Sequence, residues 1–222
     1  MDPAVFIPAL GVYGILLARL VARIRDEEKG YGKEKTACSM GFVALAAIAA
    51  LVGSRPRAFR QLLPALLLCL AGDVILALYN HDRRPGLFLG GLVSFLGGHA
   101  FFIWGLCRVQ PLGWPVFLAA LLGGCGVLAL SRLPCLKLGK MLPWTVVYGG
   151  VVSALVGKAC QLAFGMGELW CFLVLAGAVL FWISDLLILF LYFWPGRHPR
   201  IHAANLITYY LAMAFLAVSL GF

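Results

Sequence analysis

Eight apolar runs, each ended by a short polar break, leave this 222-residue chain few ways to fold. They lie near residues 3–22, 36–53, 61–79, 86–107, 114–130, 141–162, 168–193 and 203–222. A helix needs about 20 residues to cross a hydrocarbon layer about 30 Å thick, whereas a barrel strand needs only about 9–11. Lipid offers no partner to a free backbone N–H or C=O, so runs of this length are expected to be helices. The composition agrees, with 63% apolar and 12% charged side chains, against about 45–50% and about 25% in soluble domains. Disorder, a coiled coil and nucleic-acid binding are excluded on the same ground. The formal charge of +9 sits in clusters between the runs, as in a multi-pass membrane protein. The expected fold is therefore an all-α integral membrane protein, one multi-pass domain over residues 1–222 with about eight transmembrane helices. The first run has no basic segment before it and no small-residue cleavage site after it, so it is read as a span rather than a signal peptide.

The breaks are Arg23–Lys35, Ser54–Arg57, Asn80–Pro85, Ser131–Lys140 and Trp194–Arg200, all rich in Pro, Gly or charge. Gly123, Gly124 and Gly126 weaken the fifth span. Gly86 and Gly90 form a small-xxx-small pair, and with Gly97 and Gly98 they mark the fourth span for close packing. Seven cysteines, odd in number and with no CxxC pair, give neither a disulfide framework nor a thiolate metal site. Asp73 and Asp185 stand 112 residues apart, half the chain, each followed by a tyrosine (Tyr79, Tyr192) and a Pro/Arg/His loop. That echo fits a parallel four-plus-four internal repeat, which would bring the two acids together.

These two acids are the centre of the functional reading. They are the only carboxyls expected inside spans and away from the ends, where a charge costs about 2.5–3.5 kcal/mol on the insertion scale. Both occur late in odd-numbered, hence parallel, helices, about 9 and 12 Å from the expected C-terminal ends, so they share a leaflet. The competing reading makes each a neutral acid that hydrogen-bonds a neighbouring helix. Early residues of even-numbered spans reach the same layer. They are Asn205, Tyr209 and Tyr210 in span 8, with Thr208 beside them, and Tyr148 in span 6. His99 in span 4 lies deeper and needs a partner in lipid. An interfacial belt is the competing role for the tyrosines.

Three other features carry less. His198 and His202 have metal-pair spacing, but Pro199 intervenes and no third ligand is near. Lys158, near a helix end, is expected to snorkel outward. Pro64-Ala65-Leu66 matches the PAL element of intramembrane aspartyl proteases. It precedes both aspartates instead of following them, and no GxGD is present, so that assignment is rejected.

The ordered set of Gly72-Asp73 in span 3, His99 in a Gly-rich span 4, Tyr148-Gly149 in span 6, Ser184-Asp185 in span 7 and Thr208-Tyr209-Tyr210 in span 8 resembles the YhhN-like family, over nearly the whole chain. The resemblance implies a hydrolase. The family includes lysoplasmalogenases, which split the vinyl ether of lysoplasmalogens into a fatty aldehyde and a glycerophospho-headgroup alcohol. Vinyl ether cleavage starts with slow protonation of carbon, so it needs a neutral acid and a nearby anion. Two carboxyls in an apolar site can share one proton, one acting as acid and the other as stabiliser and base. No cofactor and no metal are implied. The partners expected are a lysophospholipid substrate and membrane lipids, with no nucleic acid and no obligate protein partner. Arg83, Arg84, Arg197 or Arg200 would meet the phosphate. The alternative is a small proton-coupled transporter or lipid-binding membrane protein using the same aspartates, or a scaffold in which they only lock helices.

The setting implied is the cell (inner) membrane of a bacterium or the endoplasmic reticulum of a eukaryote. Loops after spans 1, 3, 5 and 7, with Arg19, hold thirteen of the eighteen Lys and Arg, which makes those loops cytoplasmic and puts both termini outside. A reporter fused at Phe222 should therefore be active only if it functions outside the cytoplasm. Activity of a cytoplasmic reporter there would overturn either the span count or the charge reading.

Overall fold

Backbone groups that lipid cannot satisfy are satisfied within helices almost throughout the chain. The computed structural model describes residues 3–24, 31–53, 55–196 and 198–222. Among these residues the elements are α1 (Pro3–Ile24), α2 (Gly32–Val52), α3 (Pro56–Asp82), α4 (Pro85–Cys107), α5 (Trp114–Leu130), α6 (Leu142–Met166), α7 (Leu169–Phe193) and α8 (Pro199–Val218), with 3₁₀ turns at Gly139–Met141 and Ser219–Gly221. Six of the helices (α1, α3, α4, α5, α6 and α8) carry proline in their first turn, where its missing N–H has no helical partner to lose. At the other end, α3 stops at Arg83 (φ 54°) and α6 at Gly167 (φ 71°), both left-handed caps.

Among the described residues seven helices are long and apolar enough to cross a membrane, and α5, with 17 residues, sits at the lower limit. Its glycines do not loosen it. A Cβ on Gly123 would fall 2.1 Å from the Ser153 hydroxyl, and one on Gly157 would fall 2.5 Å from the Pro115 carbonyl, so α5 and α6 approach almost backbone to backbone. On α4 the close approach is real, and of the four glycines expected to mark it Gly98 makes it while the Gly86/Gly90 pair does not. Gly86 meets nothing within 4 Å and Gly90 only Ile75, while Gly91, Gly98 and Gly105 press on Leu76, Cys69 and Leu62 of α3. Seven-residue spacing returns these three to one helix face, which the Gly86/Gly90 pair does not share.

Sequential helices pack in pairs along the chain, from α1·α2 to α3·α4 and from α5·α6 to α7·α8. Advancing every label by four turns the first set into the second. It also exchanges the two contacts that join the halves, α2·α8 and α4·α6. The pairings thus follow the expected four-plus-four scheme, and α1·α8 is an additional contact. One buried core runs from Phe6 on α1 to Leu220 beyond α8, and the acid-bearing helices α3 and α7 stand within it.

Lys158 departs from expectation. Its side chain is fully buried, and Nζ donates to the carbonyls of Gln110 (2.6 Å) and Pro111 (2.9 Å) beyond the end of α4. Those carbonyls lie past the last helical turn and have no intrahelical donor, so the ammonium turns inward to them instead of snorkelling outward.

Candidate active site

Asp73 is 9 residues before the end of α3 and Asp185 is 8 before the end of α7, which puts them at nearly equal depth, about 13.5 and 12 Å from those ends. Each carboxyl is held by the helices on either side. Asp73 is 1% exposed. Its Oδ1 lies 3.1 Å from Lys35 Nζ on α2. Its Oδ2 accepts from the Ser39 hydroxyl of α2 at 2.6 Å and from the Tyr209 hydroxyl of α8 at 2.8 Å. Asp185 Oδ2 lies 3.2 Å from Nε2 of His99 on α4, and the same nitrogen lies 3.3 Å from the Tyr148 hydroxyl of α6. His99 is fully buried, with its ring edge-on to Phe181 at 4.3 Å.

The two clusters correspond under the four-helix shift. Each acid takes partners from the helix before it, α2 or α6, and from the last helix of the opposite half, α8 or α4. Gly72, next to Asp73, has a local reason: a Cβ there would sit 2.7 Å from the Phe95 ring, which α4 inserts between the clusters.

Three connected spaces surround the acids. Both carboxyls line a polar chamber of about 20 Å³ with Tyr31, Asn80, Tyr192 and Tyr209, room for about one water. Asp185, but not Asp73, also lines an apolar groove of about 760 Å³ between α4, α5, α6 and α7, within the range of pockets that bury a small ligand. On the other side, Tyr31, Asn80, Tyr192 and His202 are shared between the chamber and a polar vestibule of about 1200 Å³. Asn80 Nδ2 donates to the Tyr31 hydroxyl at 2.7 Å, and the Tyr192 hydroxyl donates to Asn80 Oδ1 at 3.2 Å, across that junction. Burial pushes the Tyr31 phenol up to about 12, so it remains neutral there.

The other expected residues divide. Tyr148 lines the groove and Tyr209 the chamber. Asn205 lines the chamber too, yet its amide is committed to Ser184, with Nδ2 at 2.9 Å from both the carbonyl and the hydroxyl. Tyr210 is buried behind the site, where its hydroxyl donates to the Lys35 carbonyl at 3.0 Å and its own carbonyl accepts from Tyr13 at 2.7 Å. Of the arginines, Arg83 lines the vestibule beside Lys33 and His198. Arg84 is exposed, 3.9 Å from Asp82, and does not line it. Arg200 is exposed, and Arg197 lies outside the described residues. His198 and His202 turn to different aromatic partners, Trp194 and Tyr31.

Lys35 and Ser39 are the residues that the sequence reading missed. Lys35 was assigned to the charged loop, but α2 starts at Gly32 and carries it one turn inside, where it is 6% exposed. Hydropathy marks where a chain becomes apolar, not where a helix begins. The usable signal was the four-residue spacing of Lys35 and Ser39, which puts both on one helix face.

The YhhN family model matches residues 35–220. No curated protein and no solved structure matches the chain. Replacing Asn205 with Ala should lower the melting temperature in detergent by an amount equivalent to about 1–3 kcal/mol, because it strips two partners from Ser184. The Ser184→Ala/Asn205→Ala double variant should cost less than the sum, and strict additivity would deny the tie. By the extent of the matched region, the chain belongs to the YhhN family.

Proposed function

We propose that this protein is an intramembrane hydrolase that cleaves the vinyl ether of lysoplasmalogens by paired aspartate catalysis. The observation that carries this reading is that two buried carboxyls, Asp73 and Asp185, line one chamber with room for about one water. An apolar groove opens on one side and a polar vestibule on the other. A single-chain lipid has the same sequence of parts. Its tail would lie in the groove, its vinyl ether at the chamber and its phosphate in the vestibule near Lys33 and Arg83.

The reaction needs only these groups and one water. One carboxylic acid gives its proton to the alkene carbon distal to oxygen, and the remaining π electrons form an oxocarbenium ion. Water attacks that ion while the second carboxylate takes the water's proton, leaving a hemiacetal. In its collapse the hemiacetal hydroxyl returns a proton to the first aspartate, the second protonates the departing ether oxygen, and aldehyde and alcohol separate. Both aspartates end as they began. Holding acid and alkene together offsets the low concentration of free protons, since effective molarities reach about 10⁵–10⁸ M.

His99 and Tyr148 orient the Asp185 carboxyl through the 3.2 and 3.3 Å contacts, and Tyr209 does the same for Asp73. Purified protein in detergent should release aldehyde from a lysoplasmalogen without any ion gradient, which a proton-coupled transporter cannot do. Asp73→Asn and Asp185→Asn should each reduce turnover by about 10²–10⁴-fold while the protein stays folded, and the double variant should lose little more. Folded Asn variants with wild-type turnover would make both carboxyls structural.

A further inference from the structure

We infer that Lys35 is a positioning residue that keeps Asp73 ionised in the resting protein, so that Asp185 is the acid that carries the first proton. The catalytic meaning of this assignment rests on the hydrolase reading above, but its test does not.

Every polar group around Asp73 is arranged to donate. The Lys35 ammonium, 3.1 Å from Oδ1, has no lone pair to accept a carboxyl proton. Oδ2 faces the Ser39 and Tyr209 hydroxyls at 2.6 and 2.8 Å. Ser39 has one proton and three acceptors in reach: Asp73 at 2.6 Å, and its own helix's Lys35 carbonyl and the Tyr210 hydroxyl, each at 3.0 Å. Asp73 is the nearest of the three, and the Tyr210 hydroxyl also donates to the Lys35 carbonyl at 3.0 Å. Tyr13 on α1 in turn anchors Tyr210 through its carbonyl at 2.7 Å. The ammonium and two hydroxyl donors from α2 and α8 therefore surround one carboxyl of α3, with Tyr210 and Tyr13 behind them, and a neutral Asp73 would set its own O–H against these donors.

Asp185 has the opposite surroundings. Its one charge-capable partner is His99, at 3.2 Å through Nε2. An imidazolium donates from both nitrogens, yet His99 Nδ1 is buried with no hydrogen-bond partner. Among the described residues no Lys or Arg pairs with Asp185 as Lys35 pairs with Asp73. Tyr148 adds a hydroxyl beside His99, and the groove beside Asp185 is apolar. The remaining titratable groups on the chamber wall are Lys35, which pairs with Asp73, and Tyr31, Tyr192, His202 and Tyr209, all shared with the Asp73 side or the vestibule. A carboxyl at an apolar wall without an ammonium or guanidinium partner holds its proton more readily than one paired to an ammonium. Asp185 is also the acid that lines the groove where an alkene would lie, and Asp73 is not. The proton and the carbon that needs it are on the same side.

Infrared spectroscopy of the purified protein in liposomes, at neutral pH and without substrate, tests this through the carbonyl stretch of protonated carboxyls. A buried carboxylic-acid band is expected in the wild type, lost in Asp185→Asn and retained in Asp73→Asn. Lys35→Met should add a second such band, because Asp73 without its cation takes up a proton. It should also slow aldehyde release about 10²-fold or more. Lys35→Arg should restore the single band and most of the activity, which a purely steric role would not achieve. The Lys35→Met/Asp73→Asn variant buries no unpaired charge, so it folds even if Lys35→Met does not, and it should retain the Asp185 band alone. A band lost in Asp73→Asn and kept in Asp185→Asn would overturn the assignment, as would a Lys35→Met variant with unchanged spectrum and turnover. If the wild type shows the expected bands but releases no aldehyde, the hydrolase reading fails and the role of Lys35 stands.

Discussion

A carboxyl buried inside a bilayer has to bring its solvation with it, and Asp73 does so by recruiting α2 and α8 to α3. Lys35, Ser39 and Tyr209 replace the water that the carboxylate would otherwise bind. Breaking one side of such a buried pair leaves an uncompensated charge and typically costs about 3–5 kcal/mol. The geometry of the bundle follows from meeting that demand. Tyr13 and Tyr210 exist behind the pair to hold the Lys35 backbone, and Gly72 lacks a side chain so that Phe95 can close the space beside the acid. Asp185 poses a milder version of the same problem. It meets that problem with His99 and Tyr148 from α4 and α6.

The two solutions are related by the repeat but are chemically unlike. In one half the acid's neighbour from the preceding helix is an ammonium, and in the other it is a phenol acting through an imidazole. A symmetric scaffold with asymmetric partners is a direct way to give two aspartates different protonation states, as acid–base chemistry requires. The spaces around them have the same polarity gradient as an amphiphile, from apolar groove through a one-water chamber to a polar vestibule. The Tyr31–Asn80–Tyr192 hydrogen bonds stand at the junction of chamber and vestibule.

Much of this was legible in the sequence because polar residues in lipid are expensive, and expense is visible. Asp73, Asp185, His99, Tyr148 and Tyr209 stood out against apolar runs, and the structure brings them into two clusters on one level. Residues at span borders were misread for the opposite reason. Polar side chains are cheap there, so nothing in hydropathy separated the buried Lys35 from its charged neighbours. Lys158 was sent outward because its acceptors, the Gln110 and Pro111 carbonyls, belong to a loop whose path only the fold reveals. The glycines of α4 show the same limit in part, since Gly97 and Gly98 meet α3 as expected, whereas Gly86 meets nothing and Gly91 and Gly105, which the sequence reading did not single out, press on Leu76 and Leu62. Asn205 was correctly assigned to the layer of the acids. Its amide, however, is engaged by Ser184.

The central claim is proton transfer to carbon inside the membrane, and the isotope content of the product reports on it directly. Purified protein given a lysoplasmalogen in deuterated water should release a fatty aldehyde with one deuterium on the carbon next to the carbonyl, as read by mass spectrometry. The Asp185→Asn protein should release almost none. Enzymatic aldehyde that carries no deuterium, or no aldehyde at all from folded wild-type protein, would contradict the account.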